Sequence, residues 1–462
     1  MINLEDYKGR RVHFVGIGGI SMSGLAEILL HRGYKVTGSD INRTNLTERL
    51  EDLGAVIQQG HEPQLVNDAD LLVYTAAVKP DNPERKRAGE LGIPEMERAA
   101  LLGEIMKQYP VRIGIAGTHG KTTATSMTAC ILELANLHPT IHIGGELDLI
   151  GGNTKAGNGE IFIFEACEYV DSFLQFHPTI AVVLNVDLDH LDHFKNMDHI
   201  KRSFERYLAL LPEDGLAIGL ADDANTLEVL KSAPSAQETF GVEGGDDVQA
   251  KNLDCDNRGH FSFDLFVEGT CLGRIALAVP GRHNVLNALA ASAVALKMGL
   301  GIEDIQRGLE AYTGTHRRFE LEGELMPGVS VYHDYAHHPT EVKATLATAR
   351  ALHPKRLWCV FQPHTYTRTA KLFELFVDAF SDADEVIVAP IYAAREPNDG
   401  QNNDARLAQR LNEKQSAIFL NSFDTISCHL ADHCTPGDMV LILGAGDIEK
   451  LAIAISHSAV TA

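Results

Sequence analysis

The sequence predicts an α/β protein of three domains with mostly parallel sheets. Short β-branched strands alternate with helical patterns along the chain, and two glycine turns each follow a strand and precede a helix. The length of 462 residues exceeds what one hydrophobic core usually holds. The predicted domains are 1–109, 110–313 and 314–462, and the first boundary falls at Pro110, where a helical pattern ends.

Composition restricts the classes of function. The chain carries 63 acidic and 40 basic side chains, a formal net charge of −23, which argues against binding nucleic acid. Its seven cysteines include no C-x-x-C pair, so we expect neither a disulfide framework nor a thiolate zinc site. No apolar run reaches membrane-spanning length or resembles a signal peptide, so we expect a cytoplasmic protein that binds no membrane.

The predicted elements follow the chain in three blocks. In the first block, the strand 12–16 precedes a helix over 22–33, a second strand ends at Asp40, and a third covers 70–78. In the second block, strands cover 112–117, 161–166 and 179–186, and the segment 248–281 reads as antiparallel strands and turns. In the third block, strands cover 356–362, 385–390 and 438–446.

The first glycine turn places Gly16, Gly18 and Gly19 after a strand and before a helix. It approaches the dinucleotide fingerprint G-x-G-x-x-G, with Ser21 in the third glycine position. Asp40 lies 24 residues after Gly16, near the spacing of a ribose-binding acid. The turn predicts a nucleotide or nucleoside diphosphate ligand without distinguishing NAD from another pyrophosphate, and the alternative is a tight turn that binds nothing.

The second turn, "GIAGTHGKTTA", ends as a phosphate-binding loop does, with Gly120, Lys121 and Thr122, but Ile115 stands where that pattern begins with glycine. The strand before it and the helix after it favour phosphate binding, with lysine on the β- and γ-phosphates and the threonine hydroxyl on Mg²⁺. The alternative is an ordinary strand-to-helix turn with a surface lysine.

Polar side chains gather at two strand ends, where ligands bind in open α/β sheets. One end offers Glu165 and Glu168. The other offers Asn185, Asp187, Asp189, His190, Asp192 and His193. Oxygen ligands suit Mg²⁺, clustered Asp and His also suit zinc or a dinuclear site, and some of these residues fit helix caps instead.

Further polar clusters occupy the last third of the chain. They contain Asn284, Asn287, Arg317, Arg318, Asp334, Tyr335, His337, His338, His364, Tyr366 and Arg368. Each cluster alone is a weak signal, because loop histidines and arginines are more often structural or solvated. Together they predict a polar face at strand ends of a third α/β unit, and Pro339 predicts a helix start.

These motifs, taken in order, resemble the Mur ligase family of peptidoglycan synthesis. The resemblance rests on "GTHGKTT", "EACE", "NVDLDHLD", "GRHNVLNALAA", "THRRFE", "DYAHHPTEV" and "FQPHTYTRT" and covers nearly the whole chain. It implies a Rossmann-like N-terminal domain for the UDP-sugar, a central ATPase domain of phosphate-loop type and a Rossmann-like C-terminal domain. It also accounts for Ile115, because the family's loop is the shorter G-T-x-G-K-T-T.

The turn "GIGG" resembles that of the family's first amino-acid-adding member. The resemblance implies an ATP- and Mg²⁺-dependent ligase that joins L-alanine to the lactyl carboxylate of UDP-N-acetylmuramate through an acyl phosphate, as a monomer or homodimer. The alternatives are the family's tripeptide-recycling ligase, whose turn is nearer G-I-C-G-T, an NAD-dependent dehydrogenase, and a non-enzymatic nucleotide switch.

Carried over by motif, the resemblance implies four sets of residues. The ATP-binding set is Gly117, Thr118, His119, Gly120, Lys121, Thr122, Thr123, Asn284, Asn287, Arg318 and Asp334. The catalytic set is Lys121, Glu168, His190, Arg318, Asp334, His337 and Arg368. The metal set is Thr122, Glu168 and His190. The UDP-sugar set is Gly16, Gly18, Gly19, Ser21, Asp40, His61 and Thr75. This sequence departs from the family pattern at Ser21, at Cys167, where relatives carry aspartate, and at Thr365, where arginine is common.

Overall fold

The computed structural model describes residues 2–75, 77–191, 193–244, 247–394, 396–397, 400–401 and 403–457. The chain forms two compact units. The first contains Met1–Val186, Lys201–Gly245 and Ala290–Gly308, and the second contains Asp187–Ile200, Asp246–Leu289 and Leu309–Ala462. None of the helices within the described ranges has both the length and the apolar character needed to cross a membrane.

The strands follow the chain in three groups. The first group is β1 (Arg11–Val15), β2 (Lys35–Asp40), β3 (Val56–Gln59), β4 (Leu71–Tyr74) and β5 (Glu95–Glu97). The second is β6 (Val111–Ala116), β7 (Thr140–Leu147), β8 (Gly152–Lys155), β9 (Ile161–Ala166), β10 (Ile180–Val183), β11 (Leu216–Leu220) and β12 (Ala236–Gly241). The third is β13 (Val248–Cys255), β14 (His260–Val267), β15 (Thr270–Pro280), β16 (Glu320–Met326), β17 (Val329–Asp334), β18 (Leu357–Phe361), β19 (Glu385–Val388), β20 (Ser416–Phe419) and β21 (Met439–Leu443).

The α-helices connect and flank these strands. They are α1 (Ile20–His31), α2 (Asn45–Asp52), α3 (Pro83–Leu91), α4 (Arg98–Met106), α5 (Lys121–Leu134), α6 (Met197–Leu208), α7 (Ala224–Leu230), α8 (His283–Lys297), α9 (Ile302–Ala311), α10 (Pro339–Arg350), α11 (Tyr366–Lys371), α12 (Phe373–Val377), α13 (Asn403–Leu411), α14 (Phe423–His433) and α15 (Glu449–His457). Short 3₁₀ segments cover Leu4–Tyr7, Pro63–Val66, Asp148–Ile150 and Tyr169–Gln175.

Two sheets form the first unit. The N-terminal sheet is entirely parallel, in the order β3-β2-β1-β4-β5. The second sheet runs β12-β11-β10-β6-β9-β7-β8, and β8 is antiparallel to β7. Both glycine turns follow a strand with neighbours on each side, β1 in one sheet and β6 in the other. The loops at the carboxyl ends of the neighbouring strands therefore lie beside each turn.

The second unit contains an antiparallel meander, β13-β14-β15, and a mixed sheet in the order β16-β17-β21-β18-β19-β20. Only β16 runs antiparallel to its neighbour in the mixed sheet. Strands β18 and β21 are buried at every residue, which explains their continuous apolar sequences. Helix α10 begins with Pro339, capped by the His338 side chain, so the predicted helix start is confirmed.

The predicted α/β class and the antiparallel segment at 248–281 are confirmed. Several predicted strands were too long. The strand predicted over 70–78 ends at Tyr74, because Thr75 and Val78 close a turn in which the Val78 N–H donates to the Thr75 carbonyl at 2.8 Å. The strand predicted over 438–446 ends at Leu443, before Gly444 with a φ of +155°. The hairpin β7–β8 lies in a glycine-rich stretch that the sequence did not predict as strands.

Candidate active site

The first glycine turn is held by hydrogen bonds to β2. Gly16 has a φ of +81°, which favours glycine, and its N–H donates to the Ser39 carbonyl at 2.8 Å. The Gly18 N–H donates to Asp40 Oδ2 at 2.9 Å, and a Cβ on Gly18 would lie 3.0 Å from that oxygen. Asp40 therefore fixes the turn in this structure and lies at the end of β2, beside the turn.

Two other residues predicted to bind the UDP-sugar follow neighbouring strands. Thr75 follows β4, and its methyl group would lie 3.6 Å from a Cβ on Gly16. His61 follows β3, with Nδ1 2.9 Å from Ser39 Oγ and 3.0 Å from Glu84 Oε1. Glu84 is fully buried, and its Oε2 also contacts His13 Nε2 at 2.8 Å. No motif pointed to Glu84, which orients His61 from α3.

The second turn packs tightly against the loop after β10. Gly117 has a φ of +145°, and a Cβ there would lie 2.9 Å from Leu184 Cβ. The Thr118 N–H donates to the Asn185 carbonyl at 3.2 Å, and the His119 N–H donates to Asn185 Oδ1 at 2.8 Å. Gly120, in the left-handed region, is the N-cap residue of α5. Asn185 thus holds the loop in place by accepting hydrogen bonds from two of its backbone N–H groups.

Lys121 forms a buried ion pair with Glu168. Its Nζ lies 2.9 Å from Glu168 Oε2 and donates to the Gly117 and Thr118 carbonyls at 2.6 and 3.0 Å. Burial alone would lower the pKa of Lys121, but the Glu168 carboxylate raises it above its ordinary value. Lys121 is therefore a fixed positive charge beneath the loop.

Thr122 contacts the other glutamate of "EACE". Its hydroxyl donates to Glu165 Oε2 at 2.9 Å, and the Gly144 N–H donates to the same oxygen at 2.9 Å. Cys167 lies between the two glutamates in sequence, and burial raises the pKa of its thiol to about 11. A neutral thiol is a poor ligand for a hard cation, so the oxygen donors at this strand end are Thr122, Glu165 and Glu168.

In the second unit, Asp189 and Arg368 form a buried pair. Arg368 donates from Nε and Nη2 to the two Asp189 oxygens at 2.9 and 3.3 Å, and its Nη1 lies 2.9 Å from His364 Nδ1. Burial opposes ionisation of Asp189, but the Arg368 guanidinium holds the pKa of that carboxyl well below its usual range. His190 follows with a φ of +50°, and its N–H donates to Asp189 Oδ1 at 2.7 Å.

The predicted asparagines lie in the first turn and a half of α8. Asn284 donates from Nδ2 to the Pro280 carbonyl at 2.7 Å, and Asn287 donates to Asn284 Oδ1 at 3.0 Å. Both side chains are buried, at 7% and 6% exposure. The spacing of three residues places them on one edge of the helix, as the sequence predicted.

Asp334 ends β17 and receives two N–H groups, from Phe319 and Ala336, each at 2.7 Å. Burial raises the pKa of Asp334 to about 6, although Arg318 and the two N–H groups oppose this shift. His337 lies three residues on, and its Nδ1 is 3.0 Å from the Tyr335 carbonyl, so Nδ1 carries the proton. Burial lowers the pKa of His337 to about 3, which leaves Nε2 as a neutral acceptor.

The predicted site residues divide between the two units. The UDP-sugar set, the loop residues 117–123 and Glu168 belong to the first unit, and the rest of the set belongs to the second. The rest are His190, Asn284, Asn287, Arg318, Asp334, His337 and Arg368. Asp192, another candidate ligand, lies outside the described residues.

The chain also matches known protein families along nearly its whole length. Three descriptions match the chain in order: "Mur ligase family, catalytic domain" over residues 11–110, "Mur ligase middle domain" over 115–295 and "Mur ligase, glutamate ligase domain" over 317–446. The chain is 50% identical over 450 residues to a UDP-N-acetylmuramate–L-alanine ligase of Acetivibrio thermocellus, across 97% of this chain and 96% of that protein. The chain belongs to the Mur ligase family.

Other Mur ligases match over the same extent. A UDP-N-acetylmuramate–L-alanine ligase of Caldanaerobacter subterraneus is 47% identical over 451 residues, or 97% of each chain. The solved UDP-N-acetylmuramate–alanine ligase of Thermotoga maritima superposes with a TM-score of 0.80 at 30% identity, over 97% of this chain and 98% of that one. A murein peptide ligase of Psychrobacter arcticus superposes at 0.71 with 26% identity, over 97% and 98%.

The chain therefore has the three-domain α/β Mur ligase fold, with a parallel N-terminal sheet and mixed central and C-terminal sheets. The Mur ligase family uses ATP, which agrees with a phosphate loop after β6. Two further residues emerge from the structure. Glu165 contacts Thr122 directly, and Asp189 anchors Arg368. The sequence named both among strand-end candidates, but only their contacts indicate their partners.

Proposed function

We propose that this chain is an ATP-dependent ligase that joins L-alanine to the lactyl carboxylate of UDP-N-acetylmuramate in the synthesis of peptidoglycan precursors, in the cytoplasm. One observation carries the proposal: full-length relatives at 46–50% identity bear this activity in their names. The loop geometry around Lys121 is consistent with it. In this reading, residues 1–109 bind the UDP-sugar, 110–313 bind ATP, and 314–462 bind the amino acid and complete the ATP site.

The chemistry requires two anions to meet. A carboxylate is a poor acyl donor, so the reaction transfers the γ-phosphoryl group of ATP to it and then replaces phosphate by the amine of L-alanine. Lys121, kept protonated by Glu168, is placed to screen the phosphates as the carboxylate approaches. The N–H groups at the start of α5 add their partial positive charge.

The donor set at the end of β9 fits Mg²⁺, which prefers oxygen ligands. The Thr122 hydroxyl donates its proton to Glu165, which directs its oxygen lone pairs elsewhere. We assign Thr122 and Glu165 to the metal, with His190 as a further candidate. Glu168, the carboxylate that the family resemblance placed in the metal set, acts here as the counter-ion of Lys121. When bound, Mg²⁺ neutralises charge on the phosphates.

The second unit supplies groups for the nucleotide and the amine. We assign Asn284, Asn287 and Asp334 to ATP, and Arg318 to its phosphates. Arg368 already directs three nitrogens toward Asp189 and His364, so it orders this segment beside the substrates. The neutral Nε2 of His337 can accept a hydrogen bond from the incoming amine.

A phosphate-release assay tests the function. We expect release only when UDP-N-acetylmuramate, L-alanine, ATP and Mg²⁺ are all present, with a ligated product of matching mass. Equal turnover of L-alanine and of the tripeptide of the recycling ligase would contradict the assignment, as would hydride transfer with NAD. Lys121→Ala should abolish turnover while UDP-sugar binding persists, because Lys121 is assigned to ATP.

A further inference from the structure

Ser21, which replaces the third glycine of the fingerprint, contacts two residues that lie far from it in sequence. Its Oγ lies 3.0 Å from Arg98 Nη1, at the start of α4. The same Oγ lies 2.9 Å from His142 Nε2, on β7 of the other sheet in this unit. The opposite nitrogen, His142 Nδ1, lies 2.9 Å from Thr154 Oγ1 on β8. A glycine in place of Ser21 could make neither the contact with Arg98 nor the contact with His142.

Arg98 is a positive charge that has no carboxylate partner in the described part of the chain. Among the described residues, its guanidinium makes one hydrogen bond, to Ser21, and no ion pair. This is unusual in a chain with a net charge of −23. Ser21 is the second residue of α1, whose N-cap, Gly19, provides no side-chain cap. An arginine and an uncapped helix start therefore adjoin the same serine.

The proton positions in this cluster follow from what each group can do. Arginine only donates, so Ser21 Oγ accepts from Arg98. Burial lowers the pKa of His142 to about 3, with Arg98 adding to the shift, so the ring is neutral and carries one proton. Thr154 is only 2% exposed, and within the described residues its hydroxyl contacts His142 alone.

A buried hydroxyl without an acceptor is costly, so the Thr154 hydroxyl donates to His142 Nδ1. His142 Nε2–H then donates to Ser21, whose oxygen accepts from both His142 and Arg98. This arrangement leaves the half-buried Ser21 hydroxyl proton directed away from both partners. Ser21 becomes a donor at the glycine turn.

We propose that Ser21 and Arg98 together bind the diphosphate of the UDP-sugar, and that His142 is a positioning residue that orients Ser21 for this contact. The proposal rests on the function proposed above and adds Arg98 and His142 to its UDP-sugar site. It also gives Ser21 a role that the family's glycine cannot have. The partner is a nucleoside diphosphate, because paired cationic and hydroxyl donors suit a diphosphate better than a neutral sugar.

The surrounding contacts hold His142, on β7, rigidly against α1. A Cβ on Gly24 would lie 2.0 Å from Thr154 Oγ1, so α1 and β8 approach as closely as glycine allows. Asn153 donates from Nδ2 to the Ile20 carbonyl at 3.1 Å. A side chain on β7 can therefore fix a hydroxyl at the N-terminus of α1 without touching the ligand.

Calorimetric titration of the full chain with UDP, supported by KM and kcat for the UDP-sugar, tests the donor pair. Arg98→Met should weaken UDP binding about ten- to hundredfold and Ser21→Ala about three- to tenfold, with kcat at saturation changed less than about twofold. Arg87→Met is the control, because Arg87 is partly exposed on α3 and pairs with Glu90. It should bind UDP as the wild type does.

His142 needs a readout that a merely structural role would not change. His142→Leu should weaken UDP binding about three- to tenfold, and His142→Gln, which keeps a donor and an acceptor, should restore it to within about twofold. In the Ser21→Ala background, His142→Leu should have no further effect on UDP binding. Equal losses for Leu and Gln, or additive losses with Ser21→Ala, would overturn the positioning role.

The outcomes separate this proposal from the function itself. If the wild type binds UDP and the Arg98→Met and Ser21→Ala variants bind it equally well, the donor pair is wrong. That result would leave the proposed ligase function unaffected. A wild-type chain that neither binds UDP nor releases phosphate would overturn the proposed function. The melting temperature of each variant shows whether it folds. If Arg98→Met does not fold, Arg98→Lys takes its place, because lysine keeps the charge but lacks the planar guanidinium group.

Discussion

The two glutamates of "EACE" should respond differently to replacement by glutamine, one through protein stability and the other through the Mg²⁺ requirement. Glu168→Gln removes the charge that faces Lys121 at 2.9 Å. At an effective dielectric constant of about 20, this pair attracts by about 6 kcal/mol, part of which offsets desolvation. Glutamine and the Gly117 and Thr118 carbonyls still accept from Lys121, so we expect a loss near the lower end of the ~3–5 kcal/mol for breaking a buried pair.

A loss of about 3 kcal/mol corresponds to a fall in melting temperature of about 6–12 °C for a domain of this size. Saturating ATP should recover part of that fall, because phosphate replaces the missing carboxylate as the counter-charge of Lys121. Glu165→Gln is the matched variant, three residues earlier and half-buried. It should melt within about 2 °C of the wild type but need about tenfold more Mg²⁺ for half-maximal phosphate release.

Thermal melts with and without ATP, and Mg²⁺ titrations of phosphate release, supply both readouts. The reasoning fails if the pattern is reversed, so that Glu168→Gln raises the Mg²⁺ requirement and leaves the melting temperature unchanged. In that case Glu168 belongs to the metal, as the family resemblance implied, and the loop carbonyls rather than Glu168 stabilise Lys121.

Two further predictions concern the loop and the C-terminal domain. Gly117→Ala should lower the free energy of unfolding by about 1–3 kcal/mol and kcat by at least about tenfold, because the new Cβ would clash with Leu184 and the residue has a left-handed φ. Gly269 is also left-handed but has open space around it, so Gly269→Ala should leave kcat unchanged. Equal effects of the two substitutions on kcat would contradict the steric argument. Burial raises the pKa of Asp334 to about 6, so its stabilising contribution is full below about pH 4 and falls by up to about 3 kcal/mol as the pH rises through 6. Asparagine does not titrate, so the wild type should lose stability relative to Asp334→Asn as the pH rises from 4 to 7. Urea denaturation of both proteins at the two pH values measures this change, and an unchanged difference between their unfolding free energies would contradict it.

Local patterns predicted much of the fold. The strands before both glycine turns, the segment that became β13–β15 and the start of α10 each carry their signal within a few residues. The hairpin β7–β8 escaped prediction because "HIGGELDLIGGNTK" contains four glycines and no sustained alternation. His142 lies in that hairpin, so its contact with Ser21 at the glycine turn could not be predicted either.

The site was predicted in outline, and the partners within it were not. Proximity to a strand end identified Glu165 and Glu168 together, but which of them meets Thr122 depends on how the chain turns after β9. Asp189 and Arg368 lie 179 residues apart, so no spacing rule connects them. The same holds for Glu84, whose contacts come from β1, β2 and the loop after β3.

The strand β7 has a consequence for the distance between the two substrates. His142 contacts Ser21 at the glycine turn, and Gly144, two residues along the same strand, contacts the glutamate that holds Thr122. Two residues of strand span about 7 Å, so the His142 side chain and the Gly144 N–H make their contacts from neighbouring points of one strand. In the sites proposed above, this strand sets the distance between the diphosphate of the UDP-sugar and the phosphates of ATP. Insertion of one residue between His142 and Gly144 should displace one of these contacts by about 3.4 Å along the strand, reverse the direction in which its group points, and change that distance.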